Sequence, residues 1–271
     1  PHRERAREHD GGTVSGALAG QWALVTGASK GIGYGIAEKL AGDGANLVLV
    51  ARKLDDLAEA ERNLAKIAGP DQQLIVRPAD VADRDAIAGV FAQVRDELPG
   101  LNILVANAGS GAVIPFLELS IDTWDSTLAL NLTGTFLCVQ EAARIMVDMP
   151  EGSNRAIVVV SSIRSLGVRP GLAAYASTKA AVNQLVRMVA YELAPHGIRV
   201  NALSPGITVT PLVAASMQAD PEILAERTAD VPMARPGQPE DMGNAALFLC
   251  QPTSGFVTGT NMIVDGGESL R

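Results

Sequence analysis

Thr26-Gly27-Ala28-Ser29-Lys30-Gly31-Ile32-Gly33 is the stretch on which the reading of the fold turns. A short apolar run, Trp22 to Thr26, leads into it. Behind it Ile32, Ile36, Ala37 and Leu40 recur at helical spacing, until Gly42 and Gly44 stop the pattern. The segment therefore reads as strand, glycine turn, helix. A helix N-terminus offers unpaired backbone N–H groups and a partial positive charge. Glycines let the chain turn tightly and let a pyrophosphate approach the backbone. The spacing is Gly-x3-Gly-x-Gly, not the commoner GxGxxG, and turns need glycine in any case. Its position directly after the first strand is what gives the cluster weight.

Outward from this loop the same alternation repeats. Asn46–Ala51 is a continuous apolar strand. A helix is predicted over 54–67, a strand over 73–77, a helix over 84–97 and a strand at Ile103–Ala106. One long helix is expected from Ile121 to Met146, bent near Gly134. A strand at Ala156–Ser161, a helix over 174–194, a strand at Arg199–Ala202, a helix at Pro239–Leu249 and a strand at Met262–Val264 complete the count of seven strands. Continuous apolar strands alternating with helices indicate a mainly parallel sheet covered on both faces. The expectation is an α/β, doubly wound Rossmann domain over 16–271, preceded by a mobile tail over 1–15. Between 207 and 238 the periodicity loosens and prolines gather (Pro211, Pro221, Pro232, Pro236 and, just beyond, Pro239). A stretch of that length in a compact domain reads as a substrate loop or lid.

Bulk composition narrows the functional classes. The 271 residues are 47% hydrophobic and 19% charged, enough for a sizeable core and against general disorder. A net charge of -8 argues against nucleic acid and anionic membrane as partners. No apolar run approaches the ~18 residues of a membrane span. Pro1–Asp10 is charged and lacks the apolar stretch of a secretory signal. Cys138 and Cys250 sit in apolar runs without a CxxC pair, which reads as buried reduced thiols in a cytoplasmic protein; a disulfide between them is the alternative. His2, His9 and His196 have no metal-ligand spacing, and Asp55-Asp56 reads as a helix start, so no metal is expected.

At this point the chain resembles the short-chain dehydrogenase/reductase family over about 250 residues, from Gly20 to Gly267. The TGxxxGIG loop, here Gly27, Ser29, Lys30, Gly31, Ile32 and Gly33, is similar to its cofactor fingerprint. Asp80-Val81 matches its adenine-side acidic residue, and Asn107-Ala108-Gly109 the end of its NNAG motif; Ala106 departs from that motif, which implies lost support for the central strand. Pro205, Gly206, Ile207 and Thr210 match its nicotinamide-side PGxxxT segment, and Val264–Gly267 its C-terminal motif. Asn131, Ser162, Tyr175 and Lys179 fall on its four catalytic positions. The resemblance implies an oxidoreductase acting on a small carbonyl or alcohol substrate, leaning toward 3-oxoacyl-carrier-protein reductases and related sugar-, steroid- and ketone-active enzymes. It also implies pairing through the helices of Asn131 and Tyr175 and through the C-terminal strands. The small and apolar residues of Ala173–Leu193 suit such a contact, so a homotetramer is expected, with a dimer second.

The residues support this chemistry on their own terms. Tyr175 and Lys179 are four apart and share a helical face. A free phenol, with a pKa of ~10, is a poor base near neutrality, and a nearby ammonium lowers that value. Ser162 lies 13 residues before Tyr175, the family's spacing, and by the resemblance would hold the substrate oxygen beside the tyrosine; Ser161 is the neighbouring candidate, but the count favours Ser162. Asn131, by the resemblance, holds a water that feeds protons to the lysine. Arg164, two residues after Ser162, reads equally as reaching the substrate mouth or as solvated. At the end of the second strand, where an NAD site places a carboxylate, stands Ala51, followed by Arg52 and Lys53. With Lys30, these cations predict NADP(H). Two rivals are weaker. A non-catalytic dinucleotide sensor would be expected to lose Tyr175 or Lys179. A serine hydrolase built on Ser162 lacks a GxSxG elbow and a histidine partner.

Overall fold

The computed structural model describes residues 16–210 and 228–270. The segment 1–15, expected to be a tail, and residues 211–227, the middle of the stretch read as a substrate loop or lid, lie outside them. Seven strands form one sheet: β1 (Trp22–Thr26), β2 (Asn46–Ala51), β3 (Leu74–Pro78), β4 (Ile103–Ala106), β5 (Ala156–Val160), β6 (Arg199–Pro205) and β7 (Asn261–Val264). Their order is β3-β2-β1-β4-β5-β6-β7, and every pairing is parallel. The helices are α1 (Gly31–Gly42), α2 (Leu54–Leu64), α3 (Arg84–Glu97), α4 (Ile121–Leu128), α5 (Thr135–Val147), α6 (Ala173–Leu193) and α7 (Pro239–Cys250).

Alternation along each strand sends side chains to opposite faces. From β1, Trp22 and Leu24 join Phe91, Cys138 and Val182 of α3, α5 and α6. Ala23 and Val25 join Ile36, Leu57 and Met242 of α1, α2 and α7 on the other side. Both faces of the central strands are thus dry, which is why β1, β2, β4 and β5 are mainly apolar runs. The helices α1 and α7 cross closely: a Cβ on Gly35 would lie 2.6 Å from Pro239 O, and one on Gly243 would lie 2.5 Å from Gly35 O.

Strand order reverses between β1 and β4, so the chain leaves these neighbours toward opposite edges. A crevice opens there at the carboxyl ends of the strands. The turns after β1, β4, β5 and β6 all end at it.

Two elements differ from the sequence reading. The long helix is broken by a π segment at Ala129–Gly134. The π segment ends at Gly134, whose missing Cβ makes room for Val81; the Val81 carbonyl oxygen would lie 2.4 Å from an added Cβ. Strand β6 runs three residues further than predicted, because Leu203–Pro205 pair with Met262–Val264. Among the described residues no helix is long and apolar enough to cross a membrane.

Candidate active site

The glycine loop is held by β1 and β4. Thr26 Oγ1 accepts the backbone N–H groups of Asn107 and Ala108, each at 3.0 Å. Asn107 Nδ2 donates back to Thr26 O at 2.9 Å and to Gly27 O at 3.3 Å. Asn107 thus ties the turn after β4 to the end of β1. Gly27 and Gly31 have φ of +66° and +60°, which suits glycine. At Gly33 a Cβ would lie 2.2 Å from Gly27 O. Lys30, at the cap position of α1, makes no side-chain bond to the helix, and no acidic residue occupies the first turn. The first-turn N–H groups thus face the crevice without a competing carboxylate.

From this loop a cleft of about 600 Å³ runs across the ends of the strands. Gly27, Ser29, Lys30, Gly31, Ile32, Arg52, Asp80 and Val81 line one end. Asn107, Ala108, Gly109, Ser162, Tyr175, Lys179, Pro205, Gly206, Ile207 and Thr210 line the rest. Asn131 stands behind the wall, fully buried. The sequence-predicted residues are thus brought to one cleft, apart from Gly33 and Asn131, which support it from behind.

Three features change the electrostatic reading. First, Lys30 Nζ is paired with Asp56 Oδ2 at 2.8 Å, and that carboxylate lines the cleft. Its pKa is lowered chiefly by the hydrogen bond from Lys30. Lys30 is therefore not a free second cation. Second, the phenol of Tyr175 is raised above its ordinary value, because burial outweighs the opposing pull of Ser162 and Arg164. The lowering expected from Lys179 is not what the geometry delivers: its Nζ lies 5.7 Å from the ring centroid and donates to Val160 O at 2.8 Å. Burial pulls Lys179 itself down to about 8. Third, Arg164 is only partly exposed and is paired with Glu268.

The two serines separate by their partners. Ser161 Oγ donates to Lys179 O at 3.2 Å, bracing α6, while the Ser162 hydroxyl accepts from Arg164 N at 3.2 Å and favours the phenolate of Tyr175. Asn131 projects from the π segment onto the turn after β4. Its Oδ1 accepts from Ser110 N at 3.0 Å and its Nδ2 donates to Ser110 O at 2.8 Å and Thr178 Oγ1 at 3.2 Å. Sequence reasoning missed Thr26, Ser110, Gly111, Asp56 and Glu268. Gly111 makes room for the Tyr175 ring, which a Cβ would approach to 2.6 Å. A signal was present for Thr26, which opens the TGxxxGIG loop, and for Ser110-Gly111, which directly continue the Asn107–Gly109 motif.

Cys138 and Cys250 are free and buried, their thiols pushed up to about 12 by burial. Among the described residues no group of side chains could hold a metal ion. The two ends of the proline-rich segment are tied together: Thr208 bridges Gly237, with Val209 N donating to Gly237 O at 2.9 Å.

Comparison with known proteins bears on this cleft. The family described as enoyl-(acyl carrier protein) reductase matches residues 27–269. Glucose 1-dehydrogenase of Gluconobacter oxydans is 34% identical, over 93% of each chain. A crystal structure of a short-chain type dehydrogenase/reductase from Mycobacterium marinum superposes with a TM-score of 0.86 at 33% identity, covering 94% of this chain and 97% of that one. The RhlG/NADP active-site complex of Pseudomonas aeruginosa gives 0.87 at 30% identity, over 93% and 97%.

Proposed function

The chain belongs to the short-chain dehydrogenase/reductase family of oxidoreductases, and on that premise we propose that it uses NADP(H) to interconvert a carbonyl and a secondary alcohol, with Tyr175 as acid and base. The observation that carries this reading is the convergence of Ser162, Tyr175 and Lys179 at one end of the cleft that begins at the glycine loop. The cradle fits a dinucleotide: glycines where a side chain would fill the space, and an uncapped helix N-terminus for the pyrophosphate. Gly27–Gly33 would hold the phosphates, Asp80-Val81 the adenine, Lys179 the ribose hydroxyls, and Pro205–Thr210 the nicotinamide end. The bound cofactor supplies or accepts the hydride.

The protein's own part is positioning and proton transfer. Ser162 holds the substrate oxygen beside Tyr175. In reduction the phenol donates its proton to that oxygen; in oxidation the phenolate takes the alcohol proton. A pKa raised by burial suits the donor role in reduction. Lys179, half-titrated near pH 8, sits where it can exchange protons through a chain anchored by Asn131 and Ser110. The rival of a dinucleotide sensor offers no reason for burying an ionisable Lys179 behind the tyrosine.

NADP(H) is preferred because Arg52 and Lys53 follow Ala51 at the end of β2, and an NADP complex exists for a structural relative. Lys30 would join them by exchanging Asp56 for a 2′-phosphate. The substrate is a hydroxylated carbonyl such as a sugar, or a 3-oxoacyl thioester. Exposed apolar side chains on α5 and α6 (Phe136, Met188, Tyr191) and beside β7 (Phe248, Phe256, Ile263) support a homotetramer. Buried free thiols support the cytoplasm.

The test is NADPH oxidation with a panel of sugars, simple ketones, a 3-oxoacyl thioester and an enoyl thioester. Turnover with a carbonyl substrate, and a kcat/KM ratio favouring NADPH over NADH, are expected. Asp56→Asn should raise that ratio by freeing Lys30, and Ala51→Asp with Arg52→Gln should lower it. A wild-type preference for NADH removes the cofactor assignment, and turnover of the enoyl thioester alone removes the carbonyl assignment.

A further inference from the structure

Two stretches of chain meet beside the catalytic tyrosine, 110–118 after β4 and 163–172 after β5. Gly111 lies against the Tyr175 ring, which leaves no room for a Cβ there. Three residues on, the backbone N–H of Ile114 donates to Gly171 O at 2.8 Å. A Cβ on Gly171 would lie 2.7 Å from Val113 Cγ1. The next residue, Leu172, lines the cleft together with Gly111 and Tyr175. The two stretches are therefore stitched into one seam that begins at the tyrosine ring. Both present apolar side chains to solvent: Val113 is 60% exposed, Phe116 72% and Leu166 56%.

The polar side chains of these stretches are mostly committed elsewhere. Arg164 is paired with Glu268. Ser165 Oγ donates to Ser162 O at 2.5 Å and accepts from Asn183 Nδ2 at 2.7 Å. Arg169 is engaged as well. Of the polar side chains in 110–118 and 163–172, the Ser110 hydroxyl and Glu118 remain, at the two ends of the first stretch. On the loop after β6, Ile207 is apolar and Thr208 Oγ1 donates to Gly206 O at 3.1 Å.

We propose that this mouth takes a ketone, or the matching secondary alcohol, carried on an apolar chain, with the oxygen at Ser162 and Tyr175 and the chain laid along the seam over Val113 and Phe116. The inference rests on the reading of the cleft as a carbonyl-reducing site, and it narrows the substrate class of that site. The seam starts at the tyrosine ring, so a substituent on a carbonyl held there meets it. A polyol in this place exchanges hydrogen bonds to water for a wall with few free partners, and each unpaired hydroxyl weakens binding. An aliphatic chain instead removes apolar surface from water, its own and that of the wall.

The experiment measures kcat/KM with NADPH for butanone, 2-hexanone and 2-octanone, and for fructose, a polyol on the same carbon skeleton as 2-hexanone. In the wild type kcat/KM should climb about two- to fourfold per added methylene. Fructose should lie about tenfold or more below 2-hexanone. Val113→Asn and Phe116→Ser place polar groups on the seam and should flatten the climb. A flat series in the wild type, a preference for fructose over 2-hexanone, or a climb that both variants leave unchanged overturns the proposal. If Val113→Asn does not fold, Phe116→Ser decides, since an exposed side chain can be truncated without opening the core: an unchanged climb in it overturns the proposal. The two readings fail differently. Absence of turnover with every carbonyl compound, fructose included, removes the carbonyl-reducing site and this inference together. Turnover of butanone with a flat series, or of fructose in preference to 2-hexanone, removes the apolar substrate alone.

Discussion

Burial sets opposite charges on edge in the two central side chains, raising the phenol of Tyr175 and drawing the ammonium of Lys179 down to about 8. Tyr175→Phe removes the transferable proton and little volume. It should keep cofactor affinity and thermal stability while kcat falls about 100- to 10,000-fold; steady-state rates and NADPH titration check this. Lys179 also writes itself into stability. Its folded pKa lies below the unfolded value of 10.5, so between the two the unfolded chain binds more protons and stability rises with pH. From pH 8 to 10 the gain is roughly 2 kcal/mol, and it should be absent in Lys179→Met. Denaturant unfolding at both pH values gives the comparison, and equal slopes in the two proteins would count against a buried ammonium. At this scale the sequence was legible where spacing carried the information. Tyr175 and Lys179, four apart, and Ser162, thirteen before, could be counted. The pairing of Lys30 with Asp56 and of Arg164 with Glu268 could not, because partners 26 and 104 residues apart meet only through tertiary packing.

The glycine turn works as an element because three of its positions leave no room for a side chain or require positive φ. Gly33→Ala puts a methyl 2.2 Å from Gly27 O, backbone against backbone, so the turn itself must open. The expected result is a loss of about 1–3 kcal/mol of stability and a weakening of NADPH binding by tenfold or more, read by calorimetry and fluorescence titration. Unchanged affinity would mean that the phosphates lie elsewhere. The π segment shows what periodicity hides. Ile121 to Met146 keeps its apolar spacing, so the pattern reads as one helix; the extra residue at Ala129–Gly134 turns Asn131 onto Ser110 without disturbing either flank. Such segments are frequent at functional sites and leave no compositional mark. The end of β6 was hidden differently. Ser204-Pro205 has turn chemistry, yet Ser204 Oγ donates to Asn261 Oδ1 at 2.7 Å and the strand continues beside β7.

For the whole molecule, strand count, sheet type and helix positions were all readable, because a sheet buried on both faces demands uninterrupted apolar strands. The surface was not readable, since exposure depends on what each helix packs against. Met188 and Tyr191 are 52% and 86% exposed on the helix that carries Tyr175, and Phe248 and Ile263 are exposed near the end of the chain. A homotetramer would cover both groups. Light scattering at micromolar concentration should give four times the 28.2 kDa chain mass, and Tyr191→Glu should lower it; a monomer for the wild type contradicts the assembly. The close crossing of α1 and α7 has a consequence during synthesis. The helix that opens at the glycine turn leaves the ribosome about 200 residues ahead of the helix it packs against. At elongation rates of roughly 5–20 residues per second, α1 waits tens of seconds or so with its glycine face uncovered. The growing sheet therefore keeps the face that carries α1 partly open, a target for chaperones and proteases, until Pro239–Cys250 arrives and covers it.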